Sequence, residues 1–365
     1  MKVLIIANSD MGLYKFRREV LEALLKENEV YITLPNGEFV PAMQEMGCKF
    51  IDCQMDRRGM NPLKEIKLVS AYLKTIRSIK PDAVLTYTIK PNVYGGLACR
   101  LLRVPYIANV TGLGTTIENG GMLAKITLLL YRIGLKRSKC TFFQNKANMQ
   151  LLTTNGVVKG KTRLIPGSGV NTEDHAFKEY PSTDDGIRFL FIGRVMRDKG
   201  INELLYAIRL VHEHYPQVTL DIVGGFDEDY SAVMDDAVKS GYIRYHGKQS
   251  RVHEFIENAH CTILPSYHEG TANVLLESAS TGRPVISCLI PGCQETFDDG
   301  VTGLGCEVKN VQSLVEAMEK FIELPIEKKA EMGRLGREKM IREYDRSIVI
   351  NAYLEEIRKA MKETK

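Results

Sequence analysis

A chain of 365 residues with 44% hydrophobic content is long enough for two domain cores of ordinary size. Its apolar stretches fall well short of the roughly 18 to 20 residues that span a bilayer, and its eight cysteines contain no Cys-x-x-Cys pair, which reads as reduced core thiols and argues against a zinc or disulfide framework. The formal charge of +4 hides a division: residues 1–168 carry 25 Lys and Arg against 12 Asp and Glu, a net of +13, whereas the remainder is net −9. Such asymmetry points to an anionic partner for the first part. All seven histidines lie in the second part, so the first can supply neither a His base nor a His metal ligand. With no signal-peptide layout at the start, a soluble cytoplasmic protein is expected.

Residues 2–7 read as a buried parallel strand. The loop 8–13 carries Gly12 and leads into helical spacing over 14–26; Gly12 serves either an ordinary tight turn or a close approach to a ligand. Strands are expected at 29–34, 49–53, 83–87, 106–110, 141–144 and 163–165, with helices between them, notably 62–78 and 92–102. That alternation argues for a doubly wound parallel sheet. Two loops follow strands at its carboxyl edge. In TYTIKPNVYGG, residues 86–96, Lys90 follows the strand and Asn92 is suited to cap the next helix. The glycine-rich NVTGLGTTIENGG, residues 109–121, includes Asn109, Thr111 and Gly112 and permits close backbone approach. Residues 122–139, MLAKITLLLYRIGLKRSK, flank a Leu-rich body with Lys125, Arg132, Lys136, Arg137 and Lys139. This is either a helix at a membrane surface or a core helix with a solvated basic end. Residues 62–80, preceded by Arg57 and Arg58, have similar character, so attachment to an anionic membrane is expected. Nucleic acid is disfavoured, because aromatic residues do not alternate with the cations as a stacking platform requires.

The stretch 166–183, rich in Gly, Pro, Asn, Asp and Ser, marks a boundary. It divides the chain into domains 1–168 and 169–346, with 347–365 as an amphipathic terminal helix. In the second domain strands are expected at 188–192, 219–223, 243–246, 261–264 and 285–287, and helices at 202–213 and 251–258. Two motifs there carry chemistry. FLFIGRVMRDKG, residues 189–200, is a buried strand followed by Gly193 and a loop in which the cations Arg194 and Lys199 could neutralise a diphosphate. SYHEGTANVLLESAST, residues 266–281, places Glu269 and Gly270 in a strand-to-helix turn. The backbone N–H groups of Thr271, Ala272 and Asn273 and the positive helix end suit a phosphate or an electron-rich sugar. Glu277 follows about two turns later, roughly 12 Å along the helix. One capping and one solvated carboxylate would also fit that spacing.

Together, strand-Gly-Arg-x4-Lys-Gly followed by Glu-Gly-x6-Glu resembles the donor site of retaining glycosyltransferases of family 4. The resemblance implies the GT-B fold: two Rossmann-like α/β domains with parallel sheets facing across a cleft, and a C-terminal helix crossing back to the first domain. It assigns the first domain to the acceptor and the membrane, and the second to a nucleotide-sugar donor. Arg194 and Lys199 would stabilise the leaving diphosphate, Glu269 would contact the donor sugar, and Glu277 would hold the ribose. The loop HGKQSRV, with His246, Lys248 and Val252, would lie near the base. Gly12, Lys90, Asn92, Asn109, Thr111 and Gly112 would line the donor phosphates, sugar and acceptor. Thr111 stands where many members have a histidine, and the Gly-Leu-Gly turn beginning at Gly112 is similar to enzymes acting on polyprenyl-diphosphate-linked saccharides. Two carboxylates about 5 Å apart, the arrangement of retaining glycosidases, do not match the wider spacing of Glu269 and Glu277. No cofactor and no metal are expected. A GT-B nucleotide-sugar isomerase, such as a UDP-N-acetylglucosamine 2-epimerase, and a non-catalytic nucleotide-sugar binding protein fit the same donor motif.

Overall fold

The computed structural model describes residues 1–56, 59, 61–113 and 120–362. The expectations on Arg57 and Arg58, and on 114–119 of the glycine-rich loop, lie outside the described residues. The chain forms two compact units: Met1–Ser168 with Ser347–Lys365, and Gly169–Arg346.

Unit 1 is built on β1 (Lys2–Ile6), β2 (Glu29–Leu34), β3 (Lys49–Asp52), β4 (Ala83–Tyr87), β5 (Tyr106–Val110), β6 (Cys140–Phe143) and β7 (Thr162–Leu164). They form one parallel sheet in the order β3-β2-β1-β4-β5-β6-β7. Its central strands are apolar on both faces because helices cover both: Val3, Leu4, Ile5 and Ile6 are fully buried. The helices are α1 (Asp10–Leu25), α2 (Val40–Glu45), α3 (Pro62–Ile79), α4 (Gly96–Leu102), α5 (Gly121–Leu135) and α6 (Lys146–Thr154). The helix α1 starts earlier than its spacing suggested, because Ser9 caps it by accepting the Gly12 N–H at 3.3 Å. Gly12 therefore lies in a helical first turn and not in an open loop. Asn92 is not a cap either. It falls within a π-helical turn, Pro91–Gly95, that precedes α4.

Unit 2 holds β8 (Arg188–Ile192), β9 (Thr219–Val223), β10 (Ile243–Tyr245), β11 (Cys261–Leu264), β12 (Val285–Cys288) and β13 (Gly303–Cys306), parallel in the order β10-β9-β8-β11-β12-β13. Its helices are α7 (Ile201–His214), α8 (Ser231–Val238), α9 (Val252–Asn258), α10 (Asn273–Ser280), α11 (Val311–Glu323) and α12 (Ile326–Lys339). The strand β13 goes unrecognised in the sequence because GLGC has no strand-like alternation. Its glycine is nonetheless demanded by the sheet, since a Cβ on Gly303 would lie 2.6 Å from the Val285 carbonyl oxygen.

The last helix, α13 (Arg346–Lys362), packs in unit 1. It buries Val349, Ala352, Tyr353, Ile357, Ala360 and Met361 in the core that holds Val3, Ile5 and Leu85. At about 1.5–3 kcal/mol for each large apolar side chain buried, that face alone holds the helix in place. The Tyr353 ring lies 4.8 Å from that of Phe142, and its hydroxyl donates to Asn109 Oδ1 at 2.5 Å. At its edge Lys161 pairs with the buried Glu356 at 2.7 Å, and Arg163 with Glu355 at 2.6 Å. All eight cysteines are buried and unbridged. No helix among the described residues is long and apolar enough to cross a membrane.

Candidate functional site

Strand order in unit 2 reverses between β8 and β11, which pair directly. Their carboxyl ends flank the crevice where open α/β sheets take ligands. Both carboxylate- and cation-bearing motifs leave the sheet at this point. After β8, Gly193 N–H donates to Val223 O at 3.0 Å and Val195 N–H to Gly225 O at 2.9 Å, tying this loop to the one after β9. The Gly224–Gly225 pair is explained by that close approach: a Cβ on Gly224 would sit 1.7 Å from Gly193 O. The chain then makes a 3-10 turn, Arg197–Lys199, and enters α7 through Gly200 at φ 70°. A Cβ on Gly200 would meet Pro265 O at 2.1 Å, so the turn carrying Lys199 rests directly on the end of β11.

The second motif docks onto this turn. Tyr267 N–H donates to Asp198 O at 2.9 Å, and the Tyr267 hydroxyl to Glu203 Oε1 at 2.7 Å. Lys199 Nζ forms an ion pair with Glu269 Oε1, with the two side chains only 18% and 13% exposed. Behind them Cys293 is fully buried, and burial together with the Glu269 carboxylate pushes its thiol well above its usual range. The loop is braced by Gly292, which lies against the carbonyls of Glu269 and Gly270 and accepts the Ala272 N–H at 2.9 Å. The Ala272 N–H is therefore not available to a ligand as the sequence suggested. Helix α10 begins at Asn273, with no side-chain cap. The Asn273 Oδ1 is buried without a partner. Glu277 lies on the half-exposed face of α10, opposite the buried Leu275, Leu276 and Ala279.

The two cations do not act as a pair. Arg194 is 58% exposed and bound to Asp227 at 2.8 Å, whereas Lys199 is held by Glu269. In the loop after β10, His246 Nε2 is hydrogen-bonded to Asp221 Oδ1 at 2.7 Å, and its ring lies 4.8 Å from Phe255. Lys248 is exposed, and Val252 opens α9. Asp221 and Tyr267, which orient His246 and the Lys199 turn, escape a reading of the sequence. Asp221 sits inside a strand, but Tyr267 is visible in the motif itself.

In unit 1 the switch point lies between β1 and β4. Here the structure corrects two assignments. Asn92 is fully buried, accepts from Thr86 Oγ1 at 2.7 Å and donates to Asn109 O at 2.8 Å. Asn109 donates in turn to Thr86 O and accepts from Tyr353. Both amides staple β4, β5 and α13 and are spent on that task rather than aimed at a sugar. Lys90 is bound to Glu65 at 2.6 Å and to Gly59 O at 2.7 Å. Thr111 and Gly112 are half-buried in the loop after β5, and Gly12 is half-buried in the first turn of α1. Among the described residues no group of three or more His, Cys, Asp or Glu is placed to hold a metal ion.

Comparison with known proteins converges on one family. Residues 2–145 match the family described as glycosyl transferase 4-like, and residues 172–339 match glycosyl transferases group 1. The chain is 25% identical, over 97% of its length and 97% of the relative's, to the N,N'-diacetylbacillosaminyl-diphospho-undecaprenol alpha-1,3-N-acetylgalactosaminyltransferase of Campylobacter jejuni. It is 22% identical to the capsular polysaccharide biosynthesis glycosyltransferase CapM of Staphylococcus aureus, over 84% of this chain and 83% of CapM. Among solved structures, Anabaena Alr3699/HepE in complex with UDP and glucose superposes with a TM-score of 0.79 over 98% of both chains at 17% identity. With its two Rossmann-like sheets and matching amino- and carboxyl-terminal domains, the chain belongs to the GT-B glycosyltransferases.

Proposed function

We propose that the protein moves a hexosyl or N-acetylhexosaminyl residue from a nucleoside-diphosphate sugar, a UDP-sugar in the simplest case, to a polyprenyl-diphosphate-linked saccharide, with retention of anomeric configuration. The product would feed assembly of a surface polysaccharide such as a capsule or O-antigen. The observation that carries this reading is the part-buried Lys199–Glu269 pair beside the uncapped start of α10, at the switch point of the unit 2 sheet. The activity of the Campylobacter relative supports the acceptor class, and the UDP held by HepE supports the nucleotide.

As the glycosidic bond breaks, negative charge grows on the diphosphate and positive character on the anomeric carbon. Lys199 exchanges Glu269 for a phosphate oxygen, and the N–H groups at the start of α10 add to it. Arg194, released from Asp227, contributes from the exposed side. Glu269 then faces the sugar, and Glu277 accepts hydrogen bonds from the ribose hydroxyls. The base lies by the loop that carries His246, Lys248 and Val252. The acceptor hydroxyl gives its proton to the leaving phosphate, so unit 1 needs no histidine base.

A membrane role for unit 1 is supported by α5, where Met122 (73%), Leu123 (52%), Ile126 and Leu129 are exposed beside the exposed cations Lys125, Arg132 and Lys136. Apolar residues facing water next to cations suit an anionic lipid surface. This reading puts the enzyme at the inner face of the cytoplasmic membrane.

The test is nucleotide release from a panel of UDP- and GDP-sugars, with and without polyprenyl-diphosphate saccharides, while following the lipid by mass and the new anomeric proton by NMR. Acceptor-dependent release with one added sugar in the donor's configuration is expected. Conversion of a nucleotide-sugar without acceptor would replace this reading with an isomerase. Glu277→Ala should raise the UDP dissociation constant about tenfold, the loss of one hydrogen bond to a charged group.

A further inference from the structure

The buried face of α1 runs Leu13, Arg17, Val20, Leu21 and Leu24, so a cation stands in a register that is otherwise apolar. Arg17 is only 4% exposed and pairs with no carboxylate among the described residues. Taking a guanidinium out of water without a counter-ion costs free energy that a leucine at this position would not. Its contacts come largely from other segments of unit 1. The guanidinium lies 5.6 Å from the centre of the Tyr87 ring, at the end of β4, and 5.9 Å from that of Tyr353 on α13. Burial and the neighbouring Tyr353 push the Tyr87 phenol well above its usual range, with Arg17 acting the other way, so the hydroxyl beside the guanidinium brings it no negative charge. Nη1 donates to the Phe16 carbonyl at 2.7 Å.

The other arm of Arg17 sets an amide. Gln144 is the single residue between β6 and Asn145, whose side chain caps α6 by accepting the Asn148 N–H at 2.8 Å, so its backbone is fixed on both sides. With its amide oriented to satisfy both neighbours, Gln144 accepts from Arg17 Nη2 at 3.1 Å and donates to the Thr111 carbonyl at 3.1 Å. A glutamine can present either end of its amide. A guanidinium has donors only, so Arg17 takes the oxygen and leaves the NH2 for Thr111. Two residues earlier Asn109 is pinned as well, donating to Thr86 O at 3.0 Å and accepting from the Tyr353 hydroxyl. The loop leaving β5 is thus clamped at Asn109 and at Thr111, and both clamps lead to Tyr353, one directly and one through Gln144 and Arg17.

We propose that Arg17 and Gln144 are positioning residues for sugar transfer. Arg17 orients the Gln144 amide, Gln144 holds the Thr111 carbonyl, and the Thr111 side chain and Gly112 are thereby set in one orientation beside the transferred sugar. Neither Arg17 nor Gln144 touches the ligand. The place of Thr111 at that sugar rests on the transferase reading above; the clamp itself does not.

Gln144→Glu separates this role from a contribution to the fold. It gives Arg17 the carboxylate that it lacks and replaces the donor to Thr111 by an acceptor, which repels the carbonyl. Tm should stay at or above that of wild type, while hydrogen exchange rises in peptides covering 110–113. With a short-chain polyprenyl-diphosphate N-acetylhexosamine as acceptor, kcat/KM for the better donor of UDP-N-acetylgalactosamine and UDP-glucose should fall about tenfold, the loss of one hydrogen bond with added repulsion. The preference between the two donors should narrow, because both then meet a loosely held loop, and UDP binding in calorimetry should stay within about twofold. Gln144→Leu should lower kcat/KM by a similar factor, and little further when combined with Thr111→Ala, the residue through which it acts. Wild-type exchange and wild-type kcat/KM in both Gln144 variants overturn the proposal, and so does a loss of rate that only follows a loss of Tm. Should the wild type bind UDP yet transfer no sugar from the panel above, the transferase reading fails by itself. Raised exchange at 110–113 with a wild-type Tm would then still uphold the clamp, and unchanged exchange would end it.

Discussion

Replacing Lys199 by methionine leaves Glu269, 13% exposed, without its cation. Removing one partner of a fully buried ion pair costs about 3–5 kcal/mol, and of a surface pair about 0–1 kcal/mol. Side chains exposed by 18% and 13% lie nearer the buried limit, so a loss of about 2–3 kcal/mol is expected. In a unit of this size that lowers Tm by roughly 4–12 °C. The double variant Lys199→Met with Glu269→Gln removes both charges and should return stability to within about 1 kcal/mol of wild type. Transfer should behave differently. If Lys199 stabilises the departing diphosphate, its loss removes about 2.7–4 kcal/mol of transition-state stabilisation, a 100- to 1,000-fold fall in kcat. The double variant should not recover it. Thermal unfolding followed by circular dichroism and initial rates of UDP release measure the two effects on the same samples. A double variant that regains both Tm and rate, or a single variant with near-native rate, would refute the diphosphate role and leave the pair purely structural.

Gly200→Ala should destabilise by at least about 2 kcal/mol, because a residue with a Cβ at φ 70° is strained and that atom would lie 2.1 Å from Pro265 O. It should also lower kcat by displacing Lys199; an unchanged Tm would mean the turn relaxes freely. Changing Ile126 and Leu129 to Gln together with Lys125 and Lys136 to Glu should release the protein from anionic liposomes in a flotation assay, and unchanged flotation would return α5 to an ordinary partly exposed helix. Burial, with Arg346 nearby, holds the His175 imidazole down to about 4. Its folded value lies below the unfolded 6.5, so the stability linked to it is complete above pH 6.5 and lost as pH falls from 6.5 to 4, at most about 3 kcal/mol. Urea unfolding across that range should show wild type losing stability relative to His175→Leu; parallel profiles would contradict the assignment.

Much of this protein is legible in its sequence because local rules act without help from distant contacts. Buried parallel strands are continuous apolar runs, so β2, β4, β5, β8, β9 and β11 have the bounds read from the residues alone. The candidate site is similarly local: β8 and β11 each end in a loop that carries its own chemistry, and only their adjacency had to be supplied. What the sequence could not separate were residues of one type in different partnerships. Lys199 and Arg194 read as one cation pair, yet Glu269 takes the first and Asp227 the second. Asn92 and Asn109 read as sugar contacts, but the packing of the Pro91–Gly95 turn and α13 against β4 and β5 brings them together with Thr86 and Tyr353, which consume their hydrogen bonds. Glu65 sits in an amphipathic helix like any solvated carboxylate, yet packing buries it against Lys90. A side chain's type is set by the sequence, whereas its desolvation and its partners come from segments tens to hundreds of residues away. Those long-range contacts decide which polar groups are spent on the fold and which stay available to a substrate.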